Sequence, residues 1–190
     1  MILPIYTYNH SMLRTPATDL IKEAKFFIVD TNKLVSLQEF IDNMYETMYN
    51  ANGIGLAAPQ IGYQSKILVV SVEISDGVIF KGTFINPKIL DRFGPICIME
   101  ESCLSLLGIE AKVERHGSIL LEYYDENWNK HNEFFHDMKS RVLQHEIDHL
   151  DGKLYIDLLD KETYLRIGMT SLIYKCKIIQ KEIECKYPII

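Results

Sequence analysis

The sequence predicts an α+β fold in which small antiparallel β-sheets surround a central helix, and three observations carry that prediction. Two segments, 37–50 and 137–150, place their apolar residues at helical spacing and have recognisable ends. Between them lie four short runs rich in β-branched and aromatic residues, the last two joined by a segment of turn-forming residues. The second helix contains His145-Glu146-Ile147-Asp148-His149, and a spacing of four puts both imidazoles on one helical face.

The elements follow in order along the chain. Ser36 and Glu39 have capping-box spacing, and Leu37, Phe40, Ile41, Met44, Tyr45 and Met48 then recur as one apolar stripe. Asn50-Ala51-Asn52-Gly53 ends that helix. The segment Gly53-Ile54-Gly55-Leu56-Ala57-Ala58-Pro59-Gln60 has too much Gly and Pro for a regular element and reads as a loop. Strands are predicted at 66–73, 83–90, 118–124 and 131–135, with Asp125-Glu126-Asn127-Trp128-Asn129 as the hairpin turn between the last two. Asp137 is placed to cap a helix running to Leu150, with Met138, Val142, His145 and His149 on a shared face and Asp151-Gly152 as its stop. Residues 161–173 suit a further helix, and Lys175 to Ile190 an exposed strand or a loose tail.

Bulk properties narrow the function. A chain of 190 residues with 47% hydrophobic content is expected to form one domain with a real core. A net charge of −6 argues against a broad basic surface, so direct nucleic-acid binding is not expected. The N-terminus lacks a basic segment followed by a long apolar run, and no stretch reaches the roughly 18 apolar residues of a membrane span. The expectation is a cytoplasmic protein without a membrane partner. Cysteines 97, 103, 176 and 185 have no C-x-x-C spacing, which favours reduced thiols, one of them available as a ligand.

Two histidines in H-E-x-x-H register can clamp one metal ion, with Glu146 beside the metal's water, a pattern for metal-assisted hydrolysis. A five-residue motif with three fixed positions also arises by chance, and helical histidines are commonly plain core or surface residues. Placement on the inner helical face favours the metal. The third ligand separates the known users of the pattern. The metzincin spacing holds as far as Gly152 but has Tyr155 where a third histidine belongs. A thermolysin-like downstream glutamate would have to be Glu182 or Glu184, in a Lys- and Ile-rich tail. Cys103, in the polar context Glu100-Glu101-Ser102-Cys103-Leu104-Ser105, is the better candidate and sits at a loop or strand end. Cys97, between Ile96 and Ile98, reads as a small buried hydrophobe.

Three segments in order resemble peptide deformylase: Gly53–Gln60 is similar to that family's G-x-G-L-A-A-x-Q, Glu101–Ser105 to its E-G-C-L-S, and Gln144–Leu150 to its Q-H-E-x-D-H-L. Leu13-Arg14, Phe84-Ile85-Asn86-Pro87 and Gly152-Lys153-Leu154-Tyr155 extend the resemblance over most of residues 1–159, the expected catalytic domain, with 160–190 as a C-terminal extension of it. The resemblance implies Cys103, His145 and His149 as metal ligands, Glu146 as general acid/base, and Gln60 with the backbone N–H of Leu104 as oxyanion donors. It implies ferrous iron as the ion, with zinc, nickel or cobalt also suited to such a site. The implied substrate is a nascent polypeptide beginning with formyl-methionine, the implied products are formate and a free amino terminus, and the ribosome is a further candidate partner. A pocket from Ile54, Gly55, Met99, Met138 and Val142 would take the methionine side chain; these are equally residues of an ordinary core.

The chain departs from the family at three positions. Ser102 stands where the family has Gly, Leu107 where it usually has Pro, and Glu110 where many members have an Arg that helps hold the substrate's peptide portion. A Gly beside a ligand often has positive φ, which Ser would adopt at a cost of roughly 1 kcal/mol or more. Glu110 reverses the local field around the peptide. Two alternatives accompany the deformylase expectation: a paralogue with slow turnover or another N-acyl substrate, and a non-catalytic, metal-stabilised module that binds nascent chains or the ribosome. Glu146 and Gln60 together favour an enzyme, since a structural metal requires neither.

Overall fold

The computed structural model describes residues 1–22, 26–29 and 33–167. It contains a two-stranded antiparallel hairpin, β1 (Phe26–Val29) and β2 (Lys33–Ser36), and a five-stranded antiparallel sheet of β3 (Gly55–Ala57), β4 (Ile67–Ser75), β5 (Val78–Cys103), β6 (Leu106–Tyr124) and β7 (Lys130–His136) in sequential order. Two helices complete it, α1 (Leu37–Asn50) and α2 (Asp137–Leu150). The expected α+β architecture is the one observed.

The period of two along β4 decides where the helices go. Ile67 and Val69 join the cluster around Phe40, Ile41, Met44 and Met48 of α1, while Leu68 and Val70 join the cluster around Val142, Leu143, Ile147 and Leu150 of α2. The first half of β4, Ile67 to Val70, is therefore buried on both faces and reads as an unbroken apolar run. A third cluster packs Leu106, Ile109, Ala111 and Val113 of β6 on Leu154, Tyr155 and Ile156, in a 3-10 turn beyond α2.

Ser36 caps α1 as its sequence predicts, its Oγ accepting from the Glu39 amide at 3.1 Å. The box is half formed, because the Glu39 carboxylate pairs with Lys33 instead. At α2 the expectation of an Asp137 cap is not met. His136 holds the N-cap position without a side-chain hydrogen bond to the helix, and its Nδ1 lies 2.7 Å from Ser118 Oγ on β6. The helix stops where expected. Gly152, at φ +72°, turns the chain, and a Cβ there would lie 2.9 Å from the backbone of Arg14, so only glycine permits this close crossing.

Three sequence expectations about β structure need correction, the first being the strand at 118–124, which begins at Leu106 as β6. Gly55–Ala57 is not a loop: its backbone pairs with Leu68 to Val70 as an edge strand, followed by a 3-10 turn at Ala58–Ile61. A strand of three residues leaves too little periodicity to read. Likewise the strand predicted at 83–90 extends from Val78 to Cys103, because register shifts near Asn86, Leu90 and Gly94-Pro95 let the ladder with β6 bend and continue past residues that look like breakers. Asn86, at φ +50°, clasps the main chain of Leu20, accepting from its N–H at 2.7 Å and donating to its carbonyl at 2.9 Å. Residues 161–167 are helical; the rest of the helix expected to 173, and the tail, lie outside the described residues.

Candidate active site

The site forms where the end of β5, the edge strand β3 and the inner face of α2 meet. Cys103 is the last residue of β5, and Leu104 and Ser105 make the two-residue turn into β6. His145 and His149 project from α2 toward it. The ligand atoms of Cys103, His145 and His149 all lie within 4.8 Å of one another, with Cys103 Sγ 3.2 Å from His149 Nε2. One thiol and two imidazoles at that separation match in kind and size a three-ligand site for a divalent transition metal.

What surrounds His145 supports the same fit. Glu101 Oε2 lies 2.8 Å from His145 Nδ1, which leaves Nε2 of that ring for the ion, an arrangement typical of metal-ligating histidine. Glu101 is fixed in turn by Arg115, at 2.7 and 3.0 Å, and by Arg141 at 2.9 Å, all three side chains being buried. Arg115 also reaches Asp148 at 2.7 Å. Burial alone would raise the Glu101 carboxyl, but the hydrogen bonds from His145 and Arg115 outweigh it and hold the group well below the usual carboxylate range. Burial likewise opposes charge on His145, yet the contacts to Cys103 and Glu101 leave its pKa well above the ordinary value. His149, fully enclosed and beside charged His145, shifts the other way.

Glu146 lies in the same cavity but is not one of the clustered donors. Its carboxylate is buried, and Oε2 has no hydrogen-bond partner among the described residues. Burial pushes its pKa up to about 7, against the opposing pull of His145. The group rests against β3 where glycine makes room: a Cβ on Gly55 would fall 2.3 Å from Glu146 Oε1. Gln60 is held from the other side. Its Oε1 accepts from the Ala57 amide at 2.8 Å, so Nε2 points at Ser105 Oγ, 3.2 Å away, and at Cys103 Sγ, 3.6 Å away.

A cavity of about 470 Å³ opens over these groups, lined by Ile54, Gly55, Gln60, Met99, Cys103, Leu104, Met138, Val142, His145 and Glu146 among others. All the residues singled out from the sequence are therefore brought to one place, except His149, which sits in the metal cluster behind it. Cys97 is not the buried hydrophobe expected. It is half-exposed on β5 between Ile96 and Ile98, which are 52% and 60% exposed, and stands apart from the cluster. Ser102 also escapes the expected strain: it lies in the β5–β6 ladder opposite Glu110 and has no positive φ. Leu107 and Glu110 are exposed at the cavity mouth.

Glu101 and Asp148 stand inside the sequence motifs with no role assigned to them there, and Arg115 and Arg141 lie outside those motifs. The acids lie two residues before Cys103 and three after His145, close enough to be suspected as partners of the ligands. The arginines carry no such signal, because their approach depends on the long β5–β6 hairpin folding over α2.

A family model described as polypeptide deformylase matches residues 2–164. A peptide deformylase of Chlorobaculum parvum is 41% identical over 191 residues, covering 100% of this chain and 94% of the relative. The chain also resembles a solved peptide deformylase from Synechococcus elongatus in complex with actinonin, with a TM-score of 0.76 and 33% identity over 91% of this chain and 87% of the other. A Met-Ala-Ser-bound peptide deformylase from Acinetobacter baumannii aligns with a TM-score of 0.74 and 26% identity, covering 84% and 99% of the two chains.

Proposed function

The chain belongs to the polypeptide deformylase family, and from that premise we propose that it hydrolyses the N-formyl group from the formyl-methionine that begins newly made proteins. The observation that carries this for the chain's own residues is the buried, unpartnered Glu146 carboxylate in a cavity shared with the Cys103 and His145 donors. A binding module has no use for such a group, whose burial without a partner is costly.

Cys103 Sγ and the two imidazoles would hold the ion, for which we propose Fe²⁺, as the resemblance implies. A bound divalent cation supplies the positive charge that makes a water acidic near neutral pH and polarises a carbonyl. The protein's residues do the rest. With its pKa near neutrality, Glu146 is suited both to take a proton from the attacking water and to give it to the amine nitrogen as the C–N bond of the formamide breaks. Gln60 Nε2, aimed at the site by the Ala57 amide, together with the Leu104 N–H, donates to the oxygen that gains charge on the formyl carbon. Ile54, Gly55, Met99, Met138 and Val142 form the wall against which the methionine side chain packs. The Met-Ala-Ser peptide bound to the Acinetobacter baumannii relative begins with an unformylated methionine and is the kind of product this wall would release.

We take residues 1–159 as the catalytic unit, with 160–190 extending it, and the cytosol, near the ribosome, as the place where such substrates arise. Among the described residues no helix is long and apolar enough to cross a membrane. The test is formate release from formyl-Met-Ala-Ser by protein loaded anaerobically with Fe²⁺, compared with acetyl-Met-Ala-Ser. Rapid release from the formyl peptide alone is expected. Cleavage of the acetyl peptide at a comparable rate would favour a paralogue with a different acyl substrate, and release from neither would favour the non-catalytic module.

A further inference from the structure

The mouth of the catalytic cavity carries a charge that the proposed chemistry does not use. Glu110 lines this cavity and also a second one of about 790 Å³, which lies between β6 and the segment beyond α2 and shares Glu100, Gly108 and Ile109 with the first. A chain seated with its first residue near Glu146 would leave through this mouth. The buried, unpartnered Glu146 marks the inner cavity as built to receive a ligand, independently of any acid at the rim.

Glu110 is placed to be felt by that ligand. It sits on a rigid strand: its neighbour Ile109 is buried, and the Ile109 carbonyl accepts from Tyr155 Oη at 3.0 Å. Across the ladder it faces Ser102, adjacent to the Cys103 donor, rather than a cation; Glu100, by contrast, faces Lys112. Glu110 forms no ion pair among the described residues. The outer cavity adds Glu114 and Asp160 to Glu100 and Glu110, against Lys112 and Arg166, so its lining is acidic on balance.

We propose that Glu110 is a specificity-determining residue that favours formyl-methionyl chains carrying lysine or arginine downstream of the methionine and disfavours those carrying aspartate or glutamate. The proposal rests on the deformylase reading above. An exposed carboxylate acts on a cationic side chain by screened attraction, so the preference is a matter of affinity, falls with salt and leaves the bond-breaking step alone.

The experiment compares formyl-Met-Ala-Lys, formyl-Met-Ala-Ser and formyl-Met-Ala-Glu as substrates of the Fe²⁺-loaded protein and of Glu110→Gln and Glu110→Arg. For the unaltered protein at low salt, kcat/KM should fall in that order by about threefold to fivefold per step, as expected of exposed charge pairs, with the difference in KM. Glu110→Gln should flatten the series and Glu110→Arg reverse it. Each comparison is a ratio within one protein sample, so a poorly folded variant lowers all three rates and leaves the ratio readable. Equal kcat/KM for the three peptides, or a preference that survives Glu110→Gln, overturns the proposal. If no peptide releases formate, the deformylase reading fails instead. The affinities of Met-Ala-Lys and Met-Ala-Glu for the same proteins, measured by calorimetry, then decide the role of Glu110: a lysine preference lost in Glu110→Gln supports it, and equal affinities overturn it.

Discussion

Glu146 has two properties that pull apart under substitution: it stands beside the metal donors without being one of them, and it is packed directly on the backbone of Gly55. Glu146→Gln keeps shape and volume but cannot carry a proton. Deformylation should fall by about 10²-fold or more while metal content, read by mass spectrometry of the native protein, stays near one ion per chain. Loss of the ion in this variant would make Glu146 a ligand and undo the assigned role. Gly55→Ala approaches the same carboxylate from the other side. A Cβ at 2.3 Å from Oε1 cannot coexist with the present Glu146 rotamer, so the side chain must move, and kcat should drop with the metal retained. A Gly55→Ala protein of normal kcat would show that the position of Glu146 is not critical. The candidate ligands stand out in the sequence because their spacing is local or motif-borne, whereas the Arg115 and Arg141 clamp on Glu101 does not. It joins residues 14 and 40 positions from Glu101, and no periodicity links them.

Among the elements, those with many residues per repeat were the readable ones. α1 and α2 each span 14 residues, so the apolar stripe repeats several times, and their ends fall within a residue of those expected. β3 has only three residues and β5 crosses Pro and Gly by shifting register, so neither shows a clean alternation. The β6–β7 hairpin was predicted from its turn, and its geometry shows why. Asp125 Oδ1 accepts from the amides of Asn127 and Asn129 at 2.9 and 2.8 Å, and Oδ2 from Asn129 Nδ2 and His131 Nε2 at 2.9 and 3.1 Å. Burial would raise the Asp125 carboxyl, but these bonds bring it down from 3.8 to about 2. A carboxyl lowered by folding contributes stability above its unfolded pKa and loses that contribution as pH falls through the folded one. Asp125→Ala should therefore cost about 1–2 kcal/mol at neutral pH, the gap narrowing between pH 4 and pH 2. Chemical denaturation of both proteins at pH 7 and pH 3 measures it, and a gap that is the same at both would mean that the ionised carboxylate is not what holds the turn.

At the scale of the whole molecule, the metal donors join parts of the fold that are far apart in sequence. Cys103 ends β5, whereas His145 and His149 belong to α2, whose apolar contacts are with the cluster beneath β4, β6 and β7. An ion held by all three is a cross-link between the long hairpin and the helix, and it exists only in the folded chain. Its binding must therefore add to stability by mass action, by about 4 kcal/mol when free metal is a thousandfold above Kd. For a protein of this size that corresponds to a rise in Tm of roughly 8–15 °C. Scanning calorimetry with and without a strong chelator should show this rise in the unaltered protein and in Glu146→Gln, since the latter retains the ligand set. Cys103→Ala should show little or none of it, because two histidines on one helix no longer tie the helix to the sheet. Cys97→Ala, altering a half-exposed thiol outside the cluster, should behave as the unaltered protein. If the chelator shift survives Cys103→Ala and vanishes in Cys97→Ala, the metal is held elsewhere, and the link from β5 to α2 drawn through Cys103 is wrong.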